Sequence, residues 1–212
     1  MSTFVVIHGG GDVGWSWHLV ADELRARGHE VFAPDLPADD DALTLDDYAD
    51  AVVELVGARS GVIVVGHSFG AFTAPLVAAR LSADLLVLMA GMIPSPGEPP
   101  ERWWERSGYV AASEARSALD GGLTGNDDPY VSFYNGVPRD LADEALRRER
   151  AHPSQAAMET PWPLSEWPAV PTRFVVFTED RFFPAAFLRD LAQGRLGVDA
   201  DEIAGGHCAM LS

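Results

Sequence analysis

The chain of 212 residues suits one domain with a substantial core, and its hydrophobic fraction of 47% is that of a globular protein. Its 32 acidic residues outnumber 15 basic ones, and the net charge of −17 argues against binding to nucleic-acid phosphates or anionic membrane surfaces. All basic residues are arginines, which excludes chemistry that needs a lysine, such as Schiff bases, pyridoxal phosphate attachment and P-loop phosphate binding.

The cysteine content and the apolar runs bear on disulfides, metal sites and the location of the protein. Cys208 is the single cysteine, so an intramolecular disulfide and a multi-cysteine metal site are excluded. Residues 1–3 lead directly into a strand-like run without the pattern of a signal peptide. No apolar run reaches the roughly 18 residues needed to span a bilayer. A cytoplasmic location is therefore expected.

Short apolar runs alternate with helix-like stretches along most of the chain. Runs of about four apolar residues without polar alternation are typical of strands buried on both faces of a parallel sheet. In chain order, the pattern predicts a strand at 4–7, a helix at 17–27, a strand opening at 31–32, a helix at 45–56, a strand at 62–65, a helix at 71–81, and strands at 85–88 and 174–177. This alternation predicts a doubly wound α/β fold.

A run of glycines, Gly9 to Gly11, follows the first predicted strand. Glycines let backbone N–H groups approach a ligand closely, and the spacing here does not match a dinucleotide-binding fingerprint. We interpret this loop as the supplier of an N–H donor to an oxyanion. His8, just before the run, is interpreted as a brace for the loop.

The motif Gly66-His67-Ser68-Phe69-Gly70 lies between a predicted strand and a predicted helix. This is the context that a nucleophile elbow requires, because the turn is so sharp that side chains two residues before and after the serine would clash. We therefore predict Ser68 as a nucleophile, with the backbone N–H of Phe69 as one oxyanion donor. His67 is interpreted as a spacer of the elbow, and the alternative for the motif is a phosphate-binding or merely tight turn.

The strand and helix alternation stops from about residue 94 to residue 171. Prolines cluster at both ends of this stretch, and its many aromatic residues are unusual for a linker. We predict a helical lid over the site, inserted into a core formed by residues 1–93 and 172–212. Its candidate pocket residues are Trp103, Trp104, Phe133 and Tyr134. The alternative is a side layer that packs on the sheet without touching the site.

A base and an acid are expected after the serine in chain order. His207 follows Gly205 and Gly206, and glycines would let such a loop bring an imidazole back over Ser68. His152, the other histidine after the elbow, lies in the predicted lid and is interpreted as a surface residue.

The acid should lie on a loop after the strand that precedes the base. Asp180 follows the apolar run 174–177, so it is predicted to orient the His207 imidazole and to stabilise its charged form. Glu179, Asp199 and Asp201 stay as alternatives.

With these residues assembled, the chain resembles the α/β-hydrolase superfamily over essentially its whole length. It looks most like the small cofactor-free branch that includes plant methyl-ester esterases and hydroxynitrile lyases, which share the His-Gly-x loop, a nearby Trp-x-Trp and the Gly-His-Ser-x-Gly elbow. The resemblance implies a mostly parallel sheet flanked by helices, and oxyanion donors at Gly10 and Phe69. Two features depart from the branch. The chain ends five residues after His207, where members continue into a helix, and it lacks the lysine of the lyases, so cyanohydrin cleavage is not expected.

The function expected from these residues is hydrolysis of small neutral carboxylic esters through an acyl-enzyme on Ser68. A thioesterase or lactonase would use the same site, and a ligand-binding protein on a hydrolase scaffold is the alternative from another class. No metal, nucleotide or flavin cofactor is expected, because the sequence has no paired ligands or phosphate loop at suitable spacing. The expected partner is a small-molecule ester, and nothing in the sequence indicates an oligomeric state.

Overall fold

The computed structural model describes residues 1–150 and 153–212. Within them, six strands form one sheet in the order β2-β1-β3-β4-β5-β6, and every neighbouring pair is parallel. The strands are β1 (Thr3–Ile7), β2 (Glu30–Phe32), β3 (Val62–His67), β4 (Leu85–Met89), β5 (Thr172–Phe177) and β6 (Ala200–Ile203). The predicted parallel α/β architecture is confirmed.

The sixth strand was missed by the sequence analysis, and its position at the edge of the sheet explains why. Its four residues are half-buried or exposed, so it lacks the apolar run of a central strand. Its acidic side chains form ion pairs instead, Asp201 with Arg173 and Glu202 with Arg189. Charged side chains of this kind are a common feature of sheet edges.

Nine α-helices occur in the described residues, and two short 3₁₀ turns, Gly14–Trp17 and Ala209–Leu211, complete the elements. The helices are α1 (His18–Ala26), α2 (Leu45–Val56), α3 (Gly70–Arg80), α4 (Pro100–Arg106), α5 (Tyr109–Asp120), α6 (Pro129–Ser132), α7 (Arg139–Arg148), α8 (Gln155–Glu159) and α9 (Ala185–Leu196). No helix in these ranges combines the length and apolarity that crossing a membrane requires.

The sheet is covered on both faces because side chains alternate along its strands. Val5 and Ile7 of β1 lie in a large core with residues of α2, α3 and α9, whereas Val6 lies in a smaller core on the opposite face. The smaller core also holds Trp17 and Met210. This two-sided burial accounts for the uninterrupted apolar runs of the central strands.

Strand order places a crevice at the carboxyl ends of β1 and β3. The chain passes from β1 to β2 on one side and then to β3 on the other side of β1, so the loops that follow β1 and β3 diverge. In open α/β sheets, ligands bind at such a reversal of strand order. The loop after β1 contains Gly9 to Gly11, and the turn after β3 contains Ser68.

Residues 90–171, hereafter the inter-strand segment, connect β4 to β5 and contain α4 to α8. Two buried tryptophans anchor it to the rest of the fold: Trp103 packs edge-on against Phe187 of α9, with ring centroids 5.9 Å apart, and Trp162 donates its indole N–H to the Phe72 carbonyl at 2.9 Å. A buried ion pair between Glu98 and Arg195 of α9 adds a polar anchor at 2.5 Å. The segment is therefore fixed to the rest of the fold at several separate points.

Candidate active site

The sharp turn predicted at Ser68 is present between β3 and α3. Ser68 has a φ of 51°, a left-handed conformation that is costly for a residue with a side chain. Its backbone N–H donates to the Met89 carbonyl at 3.1 Å, and its own carbonyl accepts from Met92 at 3.0 Å. The neighbouring strand β4 and the residues after it thus hold the serine in its strained conformation.

The two flanking glycines are required by close packing, as the sequence analysis predicted. A Cβ atom at Gly66 would lie 2.6 Å from the Ala74 Cβ, and one at Gly70 would lie 2.6 Å from the His8 carbonyl oxygen. Both distances are shorter than real Cβ contacts, and each involves an atom that cannot easily move. A side chain at either position would therefore displace the atoms packed around the elbow.

His207 and Asp180 form a buried pair at the ends of β6 and β5. The His207 Nδ1 lies 2.8 Å from the Asp180 Oδ2, and the two side chains are 3% and 0% exposed. The other Asp180 oxygen accepts the N–H groups of Phe182 at 2.8 Å and Phe183 at 2.9 Å. These bonds fix the carboxylate, so it holds the imidazole in one orientation. Of the carboxylates considered, Asp180 contacts His207.

Ser68 and His207 face one cavity of about 330 Å³, which lies at the crevice between the ends of β1 and β3. In the described part of the chain, the Ser68 hydroxyl forms no hydrogen bond with His207. Catalytic hydrogen bonds are often long in unliganded proteins and tighten when substrate binds. The structure thus brings Ser68 and His207 together at one cavity, and Asp180 lies behind His207 with the Asp180–His207 bond already formed.

The loop after β1 approaches the elbow with free backbone donors. A Cβ atom at Gly10 would lie 3.5 Å from the Phe69 Cβ, so the two main chains are adjacent. Among the described residues, neither the Gly10 N–H nor the Phe69 N–H donates to another group. Two adjacent unoccupied N–H groups beside a serine are the arrangement that binds an oxyanion.

His8 braces this loop, as predicted from the sequence. Its Nδ1 donates to the Gly9 carbonyl at 2.8 Å, and its Nε2 accepts the Leu36 N–H at 3.0 Å. Burial lowers the pKa of His8, and the bond to the Gly9 carbonyl only partly opposes this effect. Both ring nitrogens are thus engaged with the main chain, and neither is available to transfer a proton.

The inter-strand segment lines the cavity with residues that differ partly from those predicted. Phe133 and Tyr134 do line it, together with Asp127, Pro129, Ala145, Leu146 and Glu149. Trp103 and Trp104 do not, which corrects their expected place in the pocket. Trp103 is fully buried and packs edge-on against Phe183 at 5.6 Å between ring centroids. An aromatic residue that is costly to expose can be buried in a core as well as in a pocket.

Acidic groups dominate the charge around the cavity. Asp12, Asp127 and Glu149 line it, and no arginine does so among the described residues. Burial raises the pKa of Asp12, against the opposing effect of its hydrogen bond with Ser16. Burial also raises the pKa of the Cys208 thiol well above its usual value. The cavity therefore offers an anionic ligand no side-chain cation.

The loops of the site are held in place by Asn135, which no sequence motif indicated, and by His67, which the sequence predicted only as a spacer of the elbow. The Asn135 amide donates to the Glu179 carbonyl at 2.9 Å, and a Cβ atom at Gly206 would lie 2.3 Å from the Asn135 carbonyl oxygen. His67 approaches the carbonyl of His207 with its Nε2 at 3.0 Å. The glycines before His207 signalled a close approach, but no sequence signal identified its partner. His152 lies outside the described residues.

Comparison with known proteins gives the class to which this fold and site belong. The sequence model of the alpha/beta hydrolase family matches residues 4–212, so the chain belongs to the α/β hydrolase family.

Its relatives include proteins named for esterase activity. The chain is 27% identical to norfluorocurarine synthase 1 of Strychnos nux-vomica over 99% of this chain and 90% of that protein. It is 29% identical to salicylic acid-binding protein 2 of Nicotiana tabacum over 98% and 91% of the two chains. A crystal structure of polyneuridine aldehyde esterase matches with a TM-score of 0.79 at 22% identity, over 100% of this chain and 94% of that one. The resemblance to a plant esterase branch is confirmed, since Arabidopsis methylesterases are also among the relatives.

Proposed function

We propose that the protein is a serine hydrolase that cleaves small neutral carboxylic esters through an acyl-enzyme on Ser68. The observation that carries the proposal is the convergence on one cavity of a serine in a strained left-handed turn and a histidine bonded to a buried aspartate. Esterase-type relatives support hydrolysis in general.

The proposed mechanism assigns one role to each group. The Ser68 hydroxyl attacks the ester carbonyl while the His207 Nε2 takes its proton, and the bond between Asp180 and the His207 Nδ1 keeps the imidazole in the tautomer that can do so. The free N–H groups of Gly10 and Phe69 stabilise the oxyanion. His207 then protonates the leaving alcohol as the ester C–O bond breaks. A water molecule attacks the acyl-enzyme while His207 takes its proton, and the carboxylic acid leaves as His207 returns that proton to the Ser68 oxygen.

The charge around the cavity supports a neutral substrate. Asp127 and Glu149 would repel a carboxylate, and no arginine lines the described cavity to bind one. Half-buried Phe133 and Tyr134 supply apolar surface for the organic part of an ester. Thioesters and lactones present the same carbonyl chemistry, so a thioesterase or lactonase is the alternative within this mechanism. A cytoplasmic location and independence from metals and cofactors stay predictions of the sequence analysis.

A ligand-binding role is the second candidate, because one relative is named for binding salicylic acid. Turnover of p-nitrophenyl acetate separates the two. We expect Ser68→Ala to lower kcat by a factor on the order of 10⁵ to 10⁶, because the nucleophile is lost. Labelling with a fluorophosphonate, followed by mapping of the modified residue, should identify Ser68.

The matched control is Ser117→Ala on α5, outside the Ser68 cavity, which should keep both turnover and labelling. A native protein that binds ligands in the cavity but neither hydrolyses esters nor reacts with the fluorophosphonate would favour the binding role instead.

A further inference from the structure

His67 forms a direct bridge between the nucleophile elbow and the loop that carries the base. Its Nε2 lies 3.0 Å from the carbonyl oxygen of His207, a residue 140 positions away in the chain. The two imidazole rings are also in contact, with centroids 4.7 Å apart. Because His67 immediately precedes Ser68, this bond joins the residue beside the nucleophile to the main chain of the base.

The bond fixes the tautomer of His67. A carbonyl oxygen can only accept, so the Nε2 must carry the proton and the Nδ1 must be the unprotonated nitrogen. That Nδ1 is buried and has no hydrogen-bond partner among the described residues. A buried polar atom without a partner lowers the stability of the folded protein by about 1–3 kcal/mol, so the unpaired Nδ1 of His67 is unfavourable for folding.

The same geometry excludes a proton-transfer role for His67. One ring nitrogen donates to the His207 carbonyl, and the other is closed off from solvent. Burial and the neighbouring His207 lower the pKa of His67 well below its usual value, so the ring stays neutral near pH 7.

We propose that His67 is a positioning residue that holds the His207 main chain so that the imidazole faces Ser68. His207 then has two anchors, the Asp180 carboxylate on its side chain and the His67 ring on its backbone. This inference rests on the proposed function, because it assigns a task to His67 within the Ser68 reaction.

Other main-chain bonds hold the loop on either side of His207: the Gly205 carbonyl accepts from the Glu179 N–H at 3.0 Å, and the Cys208 N–H donates to the Phe133 carbonyl at 3.1 Å. Loss of the His67 bond would therefore free the carbonyl of His207 alone, and a rotation of this peptide would move the imidazole away from the serine while the Asp180 bond persists.

Replacement of His67 by two side chains of equal length tests the donor. Glutamine offers an amide N–H close to the position of the Nε2, whereas methionine has a similar reach and no donor. We expect His67→Met to lower kcat for p-nitrophenyl acetate by about tenfold or more, with KM changed less than about twofold, because a misplaced base slows the chemical step. His67→Gln should restore most of the native kcat.

A third variant, His67→Phe, keeps an aromatic ring against Trp17, whose centroid lies 6.4 Å from that of His67. Thermal unfolding identifies which donor-free variants are folded. If a folded Met or Phe variant turns over the ester as fast as the Gln variant, the inference is overturned, since packing alone would then explain His67.

Nitrogen-15 NMR of the histidine rings tests the inference on the native protein without any turnover measurement. We expect His67, identified by the signals lost in His67→Gln, to show the Nε2–H tautomer at pH 7.5. We also expect the proton between His207 and Asp180 to shift in the folded Met variant. An Nδ1–H tautomer overturns the inference. Absence of ester turnover in the native protein would overturn the proposed function instead, and the NMR result would still decide the task of His67.

Discussion

The two sides of the cavity are built in different ways. The sheet side, formed by the loops after β1, β3, β5 and β6, is determined by main-chain geometry, with a left-handed Ser68 and glycines that have no room for a Cβ atom. The inter-strand segment contributes half-buried Phe133 and Tyr134 and an exposed Glu149, while its anchors at Trp103 and Trp162 lie elsewhere. The candidate catalytic groups thus lie on the side that main-chain geometry constrains, whereas the inter-strand segment contributes side chains to the opposite wall.

After loss of the nucleophile itself, the largest expected effect concerns the acid on the sheet side. Replacing Asp180 by Asn should lower kcat for p-nitrophenyl acetate by a factor of about 10⁴, because an amide can favour the wrong tautomer of the imidazole. Glu179→Gln is the matched control, since the chain uses the backbone of Glu179, through its carbonyl bond to Asn135. A large loss in the Gln variant with little loss in the Asn variant would mean that Glu179 is the acid.

Loss of Trp103, an anchor of the inter-strand segment, should lower the unfolding free energy. Trp103 is fully buried and packs against Phe187 of α9, so Trp103→Ala should cost about 3–5 kcal/mol of unfolding free energy. Trp104 is half-buried, and Trp104→Ala should therefore cost less. Urea unfolding of both variants measures the difference. If both variants lost the same unfolding free energy, Trp103 would not be a special anchor of the inter-strand segment.

Glycine substitutions test whether the sheet side is as constrained as its geometry indicates. Gly66→Ala should destabilise the protein by about 1–3 kcal/mol, because the new Cβ overlaps packed atoms. Gly194 in α9 has nothing within 4 Å of the same position, so Gly194→Ala should be neutral or stabilising by up to about 1 kcal/mol. Thermal unfolding of the Gly66→Ala and Gly194→Ala variants measures the two changes in stability. Similar values would mean that the elbow relaxes around a methyl group.

The sequence predicted features that depend on neighbouring residues better than features that depend on distant ones. The elbow at Ser68 depends on residues within a few positions of one another, so its strand, turn and glycines were all visible in the motif. The edge strand β6 was missed because Asp201 and Glu202 interrupt its apolar pattern. Trp103 and Trp104 were expected in the pocket because large aromatic side chains are usually buried. The sequence does not show whether such a side chain is buried in the core or in a pocket wall.

Tertiary partners account for the rest of what the sequence did not reveal. His67 acts on a carbonyl 140 residues away, and Asn135 on one 44 residues away, and in each case the partner is a backbone atom that every residue has. No residue type in the sequence marks such a partner. The three candidate catalytic side chains were identified because their chemistry restricts the residue types that can supply it, whereas positioning contacts carry no such restriction.

The smallest expected effect concerns the wall of the cavity formed by the inter-strand segment and the charge of the substrate. Methyl 4-acetoxybenzoate and 4-acetoxybenzoate differ by a distant carboxylate, so they form a matched neutral and anionic pair. We expect kcat/KM to favour the neutral ester by about tenfold at low salt, because Asp127 and Glu149 at the exposed rim repel the anion. At about 1 M salt the Debye length falls to about 3 Å, so the preference should shrink.

Two variants locate the source of this preference. Glu149→Gln should reduce it, because the variant removes a charge that lines the cavity, whereas Asp140→Asn removes an exposed charge of α7 outside the cavity and should leave it nearly unchanged. Equal reductions would mean that the net charge of −17, and not the cavity wall, discriminates against anions. A native preference for the anionic ester would contradict the assignment of a neutral substrate. Because neither variant alters the Asp180–His207 pair, turnover of the neutral ester reports separately on the chemistry of the sheet side.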